Sequence, residues 1–203
     1  EHDQTAKLFM GVSSNYLCDL APGDKVKLTG PAGKRFLLPA EAGAHDYVFI
    51  ATGTGIAPFR GMALDLYRPR RGAPMPAKTA LVMGSPYATD LLYDDLFRDL
   101  AARHADFRYL TAISREGARG QYVQDRLADV ADLLASERTV VYICGVAGME
   151  LGVFQEMARL LPDEVLRRYV DIDPEVRAEP GRWTRRMIHK QVRPTRRVLM
   201  EVY

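Results

Sequence analysis

Asp46-Tyr-Val-Phe-Ile-Ala-Thr-Gly-Thr-Gly-Ile-Ala-Pro-Phe-Arg60 reads as a buried strand, a tight glycine turn and a helix that starts at once. Tyr47 to Ala51 are apolar or aromatic without alternation, the pattern of a strand covered on both faces. Gly53 and Gly55 let the backbone turn without a Cβ and leave its N–H groups open. Pro58 falls where a first-turn proline removes no hydrogen bond. The free donors and positive dipole end of that helix face whatever lies over the turn, and a pyrophosphate is the natural occupant. The same corner also occurs as a purely structural element of α/β folds, so the other strand ends have to decide.

From Tyr47 onward, strand and helix patterns alternate. Strands are predicted at 47–51, 79–84, 107–113 and 139–144, and helices at 57–68, 90–104, 121–135 and 148–161. This alternation implies right-handed βαβ crossovers and an α/β fold, a parallel sheet with helices on both faces. Arg68 to Pro76 is expected to be a surface loop. Beyond Pro162 one or two short helices are expected, with Tyr169 and Trp183 as packing anchors, and Arg196 to Val202 as a final edge strand.

Residues 1–45 read differently. Lys25-Val-Lys-Leu-Thr29 alternates like a half-exposed strand, Gly30-Pro-Ala-Gly33 is a turn, and Phe36-Leu-Leu38 is a second apolar run. Ser13, Ser14 and Asn15 are helix N-cap candidates. Two strands and a turn do not make a stable unit. Residues 1–45 are therefore expected to be the last part of a β-barrel whose beginning lies upstream, and 46–203 a nucleotide-binding α/β domain.

The 203 residues are 47% hydrophobic, enough for a full core. No apolar run approaches the ~20 residues that span a bilayer, and the polar start does not read as a secretory signal. The two cysteines, Cys18 and Cys144, form neither a disulfide framework nor a metal-ligand cluster, so no metal is expected and a reducing cytoplasm fits best. The net charge of +2 is uninformative, but Leu166 to Tyr203 carries ten Arg/Lys against five Asp/Glu. That tail could face an acidic partner, although an arginine-studded helix is more often a solvated face. A nucleic-acid partner is disfavoured, because no basic groove interleaved with aromatics is evident.

In a parallel sheet the functional groups gather past the carboxyl ends of the strands. Those places hold Thr52 to Pro58, Gly84-Ser-Pro86, Ser114-Arg115 with Arg119, Tyr122 and Gln124, and Cys144-Gly-Val-Ala-Gly148. Each carries glycine, a hydroxyl residue or arginine. Ser114 and Arg115 can meet a ribose 2′-phosphate with a hydroxyl and a charged fork, and Tyr122 offers adenine a flat face. Hydrogen bonds to a charged group contribute about 1.5–3 kcal/mol each. Two of them favour NADP over NAD by roughly a hundredfold to ten-thousandfold. An NAD site would want an acidic residue at that place instead. Cys144 lies between a buried strand and a glycine turn, which aims its sulfur at the sheet edge, although a core thiol is the commoner use. The apolar terminus ending on Tyr203 does not read as a disordered end, and its ring could cover a flat ligand ring and leave when a competing ring arrives.

Gly11-Val-Ser-Ser-Asn-Tyr-Leu-Cys-Asp-Leu20, Thr29-Gly-Pro-Ala-Gly-Lys34, Gly53 to Arg60, Leu91-Leu-Tyr93, Ser114-Arg-Glu116, Cys144-Gly145 with Gly148-Met-Glu150, and Glu201-Val-Tyr203 together resemble the plant-type ferredoxin–NADP reductases. The match runs through nearly the whole chain in the right order. The resemblance implies FAD on an amino-terminal β-barrel, NADPH on the α/β domain and hydride transfer between them. It implies that Val12, Ser13 and Ser14 hold the FAD pyrophosphate, that Thr54 with Gly55 lies near flavin and nicotinamide, and that Ser85 and Pro86 run along the NADP phosphates. Ser114, Arg115, Tyr122 and Gln124, with Arg119 close by, resemble the 2′-phosphate and adenine contacts, and Gly145 and Val146 the adjoining NADP turn. Of the residues the resemblance marks as catalytic, Cys144 and Glu201 are similar to the pair that positions nicotinamide over the flavin, and Tyr203 to the aromatic that stacks on the isoalloxazine. Catalysis of this kind is mainly positioning, and the redox work belongs to the cofactors.

The sequence departs from the family in places. The strand that grips FAD is expected upstream of Glu1, Ser13 stands where cysteine is usual, and the family's second basic residue falls on Gly120, with Arg119 one step earlier. Leu161 to Arg197 is longer and more basic than in the plant enzymes. That suggests an iron–sulfur carrier on the same polypeptide, or an oxygenase component, as electron partner beside ferredoxin; the reductase component of benzoyl-CoA oxygenase has such an architecture. Two readings follow: an NADPH-dependent flavoprotein reductase expected to be inactive as this chain alone, or an NADP-binding and partner-docking module without autonomous flavin or turnover.

Overall fold

A computed structural model describes residues 11–30, 36–67 and 78–203, and the chain divides into two compact units, Glu1–Lys34 and Arg35–Tyr203. In the first, α1 (Val12–Cys18) buries no residue. Its N-cap is Gly11, not one of the expected Ser13, Ser14 or Asn15, which lie inside the helix. Asn15 Nδ2 donates to the Gly11 carbonyl at 2.6 Å, beside the backbone bond from its own N–H, and caps none of the free N–H groups. The strand expected at Lys25–Thr29 is irregular and exposed. Alternation makes a strand only where a neighbouring strand takes up its hydrogen bonds, and none of the described strands pairs with it. The turn expected at Gly30–Gly33 and the loop expected at Arg68–Pro76 lie mostly outside the described residues.

In the second unit five parallel strands form the sheet: β1 (Asp46–Thr52), β2 (Thr79–Ser85), β3 (Phe107–Ile113), β4 (Thr139–Gly145) and β7 (Val198–Val202). Their order is β3-β2-β1-β4-β7. All four predicted strands are present, and the terminal strand stands at the sheet edge, paired only with β4. β1 and β4 are buried along almost their whole length, as their unbroken apolar runs require.

Alternate residues of β1 serve two cores. Tyr47, Phe49 and Ala51 pack with α2 (Ile56–Leu66) and α3 (Asp94–Arg103) through Ile56, Phe59, Phe97 and Leu100. Val48 and Ile50 face the opposite layer, where Leu133 and Leu134 of α4 (Ala131–Ala135) and Val153, Phe154 and Met157 of α5 (Met149–Leu160) close the core. Each such large apolar side chain contributes about 1.5–3 kcal/mol by its burial. Phe36 belongs to the first core, 5.3 Å edge-on from Tyr142 and 5.9 Å from Phe59. The run Phe36–Leu38 is thus not the expected strand; its apolar character is used in packing, and residues 36–45 lie with the α/β unit.

The helix predicted at 121–135 is instead eight residues of 3₁₀ helix, Val123–Val130, followed by the short α4. Val123, Leu127 and Val130 of this segment are nonetheless buried. After Pro162, α6 (Asp163–Leu166) and α7 (Pro174–Arg177) match the expected short helices, but a two-stranded antiparallel ribbon, β5 (Val170–Ile172) with β6 (Val192–Pro194), was not foreseen. Tyr169 and Trp183 are buried anchors as predicted. The Tyr169 hydroxyl donates to the Leu134 carbonyl at 2.7 Å, and Trp183 Nε1 donates to the Val176 carbonyl at 2.7 Å.

Six of the ten basic residues of the tail are engaged within the fold: Arg168, Arg177, Arg182, Arg185, Arg193 and Arg197 bind carboxylates or carbonyls. Arg193 alone holds Asp171 and Asp173. Arg193 ties the ribbon together, and Arg168, Arg177, Arg185 and Arg197 tie the tail to Glu137, Asp163, Glu150 and the Thr139 carbonyl.

Candidate functional site

The strand order reverses at β1. The chain leaves β1 toward β2 and β3, then returns to its other side for β4. In such a sheet the crevice opens at the carboxyl ends, on either side of the reversal. A cleft of about 690 Å³ lies there. Its lining comes from all five strand ends: Thr52 and Thr54 after β1, Gly84, Ser85 and Pro86 after β2, Ser114 and Arg115 after β3, Val146 and Met149 after β4, and Tyr203 after β7. Tyr122 and Gln124, at the start of the 3₁₀ segment, complete the wall.

The floor is a contact between two turns. Thr52 Oγ1 accepts the Val146 N–H at 2.9 Å and donates to Met149 Sδ at 3.2 Å, joining the β1 turn to the β4 turn. Backbones meet closely here. A Cβ on Gly55 would stand 2.1 Å from the Cys144 carbonyl oxygen, and one on Gly145 would stand 2.1 Å from Thr52 Oγ1. Gly145 also holds φ +144°, a conformation that L side chains rarely adopt. Both glycines are thus structural requirements under the cleft and do not line it.

Two helices point their amino ends toward this floor, and they differ in charge. At α5 the buried carboxylate of Glu150 accepts the Gly148 N–H at 2.7 Å and takes Arg185 Nε at 3.2 Å. The positive end of α5 is therefore already matched by an internal anion. At α2 the first turn carries no acidic residue, and Gly53 and Thr54 are exposed just ahead of it. The end of α2 is the one left open to a ligand anion. Pro58 sits in its first turn, as predicted, where the backbone N–H groups have no intrahelical partner.

The far end of the cleft carries a donor set. Ser85 is 5% exposed, and its Oγ has no hydrogen-bond partner. A buried hydroxyl without a partner is costly, and a ligand oxygen in the cleft would satisfy it. Arg115 is exposed and makes no ion pair among the described residues. Tyr122 is 57% exposed, and its backbone N–H is fixed by the Asp125 carboxylate at 2.8 Å. This donor set suits an elongated phosphorylated ligand with a flat base at one end.

Gly120 stands where a second basic residue was sought. A Cβ there would lie 2.0 Å from the Ser114 carbonyl oxygen, so no side chain fits. Arg119, one step earlier, is exposed and does not line the cleft.

Cys144 and Glu201 stand side by side in paired strands β4 and β7. The thiol does not reach the cleft: Cys144 is 4% exposed and packs in the core with Tyr142 and the α2 side chains. Burial, and secondarily the Glu201 carboxylate, push its pKa up, so the sulfur is a neutral thiol at neutral pH. Tyr203 is 66% exposed, and its hydroxyl bonds to the Thr54 hydroxyl. Its backbone is tied down by Ala147 N–H to Tyr203 O at 2.8 Å and Tyr203 N–H to Gly145 O at 3.0 Å. Val12, Ser13 and Ser14 lie on α1 in the other unit, where no described residue of the helix is buried.

Thr52, Gly84, Met149 and Glu150 stand within motifs read from the sequence, but none was assigned a role in the site there. Thr52 had a visible signal, a hydroxyl residue directly before the glycine turn. Glu150 had none, because only the fold buries it.

The family model described as oxidoreductase NAD-binding domain matches residues 49–155, and the chain belongs to that family. Its similarity within that family runs to ferredoxin–NADP reductases. It is 39% identical over 158 residues to the root-type chloroplastic ferredoxin–NADP reductase of Nicotiana tabacum, covering 74% of this chain and 42% of that protein. The leaf isozyme 1 of Arabidopsis thaliana is 38% identical over 164 residues, covering 76% of this chain and 45% of that protein. The ferredoxin–NADP reductase of Picosynechococcus is 40% identical over 158 residues, covering 72% and 39%. The chain thus spans less than half the length of these relatives. Among solved structures, the ferredoxin–NADP+ reductase from Plasmodium falciparum superposes with a TM-score of 0.63 at 23% identity, covering 95% of this chain and 66% of that one, and shares its fold.

Proposed function

We propose that residues 46–203 bind NADP and serve as the hydride-donor or hydride-acceptor half of an FAD-dependent reductase that exchanges electrons with ferredoxin or a similar iron–sulfur carrier. The observation that carries this is the cleft's far end, where Ser114 and the unpaired Arg115 stand beside the exposed ring of Tyr122. In this reading Arg115 and Ser114 take the 2′-phosphate, Tyr122 stacks on adenine with Gln124 beside it, and Ser85 and Pro86 follow the phosphates toward the open end of α2. Thr54 and Val146 bound the nicotinamide end, with Gly145 beneath them in the floor, and Tyr203 stands in the ring's place until the ligand displaces it. Cys144 and Glu201 flank that end from the next layer. NADPH would supply the hydride, or NADP+ would accept it, when bound; the chain's residues would hold the dinucleotide and exclude water.

We place FAD in the whole enzyme, with the first unit, Glu1–Lys34, at the end of its barrel, as the resemblance implies. In the described residues of the first unit α1 buries no side chain, and residues 21–30 are exposed. The same observation favours the second reading for the chain by itself, an NADP-binding module without turnover. An oxygenase component or a fused iron–sulfur domain draws no added support from the basic tail, whose arginines are largely engaged internally. The unpaired Cys18 and Cys144 fit a reducing cytoplasm, and no helix among the described residues is long and apolar enough to cross a membrane.

Calorimetric titration with NADP+, NAD+ and 2′,5′-ADP tests this proposal. Arg115→Ala should weaken NADP+ by roughly tenfold to a hundredfold, the equivalent of one charged hydrogen bond, and leave NAD+ unchanged. Equal loss of both would refute the phosphate role, and a wild-type chain that ignores all three ligands would refute the nucleotide assignment.

A further inference from the structure

The loop after β3, Ser114–Gly120, has no regular structure, yet it presents the arginine on which the proposed cofactor choice depends. Three hydrogen bonds tie it to the loop after β2. Ser114 N–H donates to the Ser85 carbonyl at 3.0 Å, and Arg115 N–H donates to the Pro86 carbonyl at 2.9 Å. The third is made by a side chain: Ala88 N–H donates to Glu116 Oε1 at 2.8 Å. Ala88 opens the 3₁₀ turn Ala88–Asp90, so the carboxylate also meets the donor end of that turn.

Glu116 is the chain neighbour of Arg115, and a free carboxylate there would be a ready partner for the guanidinium. Its engagement with Ala88 keeps it away, and no ion pair joins Glu116 to a basic residue among the described ones. Its charge alone would count against an anion nearby. Whatever it contributes to an anion site must come from position.

We propose that Glu116 is a positioning residue for cofactor choice: by pinning the β3 loop to the β2 loop, it holds Arg115 open for the 2′-phosphate. This rests on the NADP reading above. Glu116→Gln keeps an acceptor oxygen for Ala88 N–H and removes the charge. Glu116→Ala removes both.

For 2′,5′-ADP, the Gln variant should bind as tightly as wild type or up to a few-fold tighter. The Ala variant should bind about fivefold to tenfold more weakly, although it has lost the unfavourable charge, and NAD+ affinity should be the same in all three proteins. Three results would overturn the inference: both variants binding more tightly, which leaves Glu116 as a mere repulsive charge; the Ala variant binding like wild type; or the Ala variant losing NAD+ and 2′,5′-ADP alike, which marks a general structural role. If wild type itself does not bind 2′,5′-ADP, the NADP reading fails first and this inference falls with it. If wild type binds and Arg115→Ala abolishes the preference while Glu116→Ala does not change it, only the inference fails.

Discussion

Alanine in place of Gly55 gives the sharpest test of how the cleft floor is built. Gly55 has ordinary helical dihedrals, φ −60° and ψ −10°, so its backbone conformation suits any residue. Its neighbours do not. The added methyl would stand 2.1 Å from the Cys144 carbonyl oxygen, 2.4 Å from its carbon and 2.7 Å from Gly145 Cα. All three are backbone atoms of the β4 end, where Cys144 is in register with Ala51 of β1. Relief requires the two turns to separate by on the order of 1 Å in a region packed at crystal-like density. Overpacking of this kind costs about 1–3 kcal/mol, and backbone obstacles place Gly55→Ala at the upper end. For a chain of this size each kcal/mol moves the melting temperature by about 2–4 °C, so a fall of roughly 6–12 °C is expected.

Two other glycines in the same stretch provide controls. Gly61, mid-way along α2, has nothing within 4 Å of the site of an added methyl. Gly61→Ala should gain about 0.8–1 kcal/mol from helix propensity, a rise of roughly 2–4 °C. Gly53 also has open space but sits at φ +53°, so Gly53→Ala should cost about 1–2 kcal/mol. Trp183, the one tryptophan of the chain and a buried residue of the second unit, reports unfolding by fluorescence. A Gly55→Ala protein that melts at or above wild type, alongside Gly61→Ala, would refute the close-approach argument.

Two further outcomes follow from the nicotinamide end. The folded Cys144 thiol, buried and with its pKa raised by burial and by Glu201, should resist iodoacetamide at neutral pH, whereas Cys18 is exposed and open to the reagent. The fold holds that proton more tightly than the unfolded chain does. The stabilisation it contributes is therefore complete below the unfolded thiol pKa and is lost as pH rises through the folded one. Equal labelling of both thiols at pH 7, read by peptide mass spectrometry, would contradict this. Deleting Tyr203 removes its bond to Thr54 and uncovers the nicotinamide end of the cleft. The truncated chain should bind NADP+ several-fold more tightly, with 2′,5′-ADP affinity unchanged in calorimetry, and a parallel gain for both ligands would argue against a place-holding ring.

Strand by strand, the α/β half was legible because burial on both faces leaves unbroken apolar runs, and β1, β2 and β4 carry them. The glycine turn was legible because few residues other than glycine allow such close passage. The irregular parts were not. Lys25–Thr29 alternates like a strand, but pairing depends on a partner far away in the chain. Phe36–Leu38 is apolar because it packs against Phe59 and Tyr142, a contact that its own sequence does not announce. The spacing Val123, Leu127, Val130 falls on one side of an α-helix, whereas at three residues per turn Val123 stands about 120° from the other two, so periodicity pointed to α winding and could not reveal the 3₁₀ segment.

By itself the sequence determined the order of strands and helices, the glycine corner after β1, and the residue types at each strand end, since these depend on local periodicity and backbone sterics. Only the tertiary structure decided which of those residues share a cleft. It placed Ser85, Ser114, Arg115, Tyr122 and Tyr203 around one space and withdrew Cys144 into the core. It also set Glu150 against the end of α5, so that α2 is the helix left open to an anion. The physical reason is that burial and charge pairing are properties of neighbours in space, and strand order, which brings those neighbours together, is settled by the packing of the whole sheet.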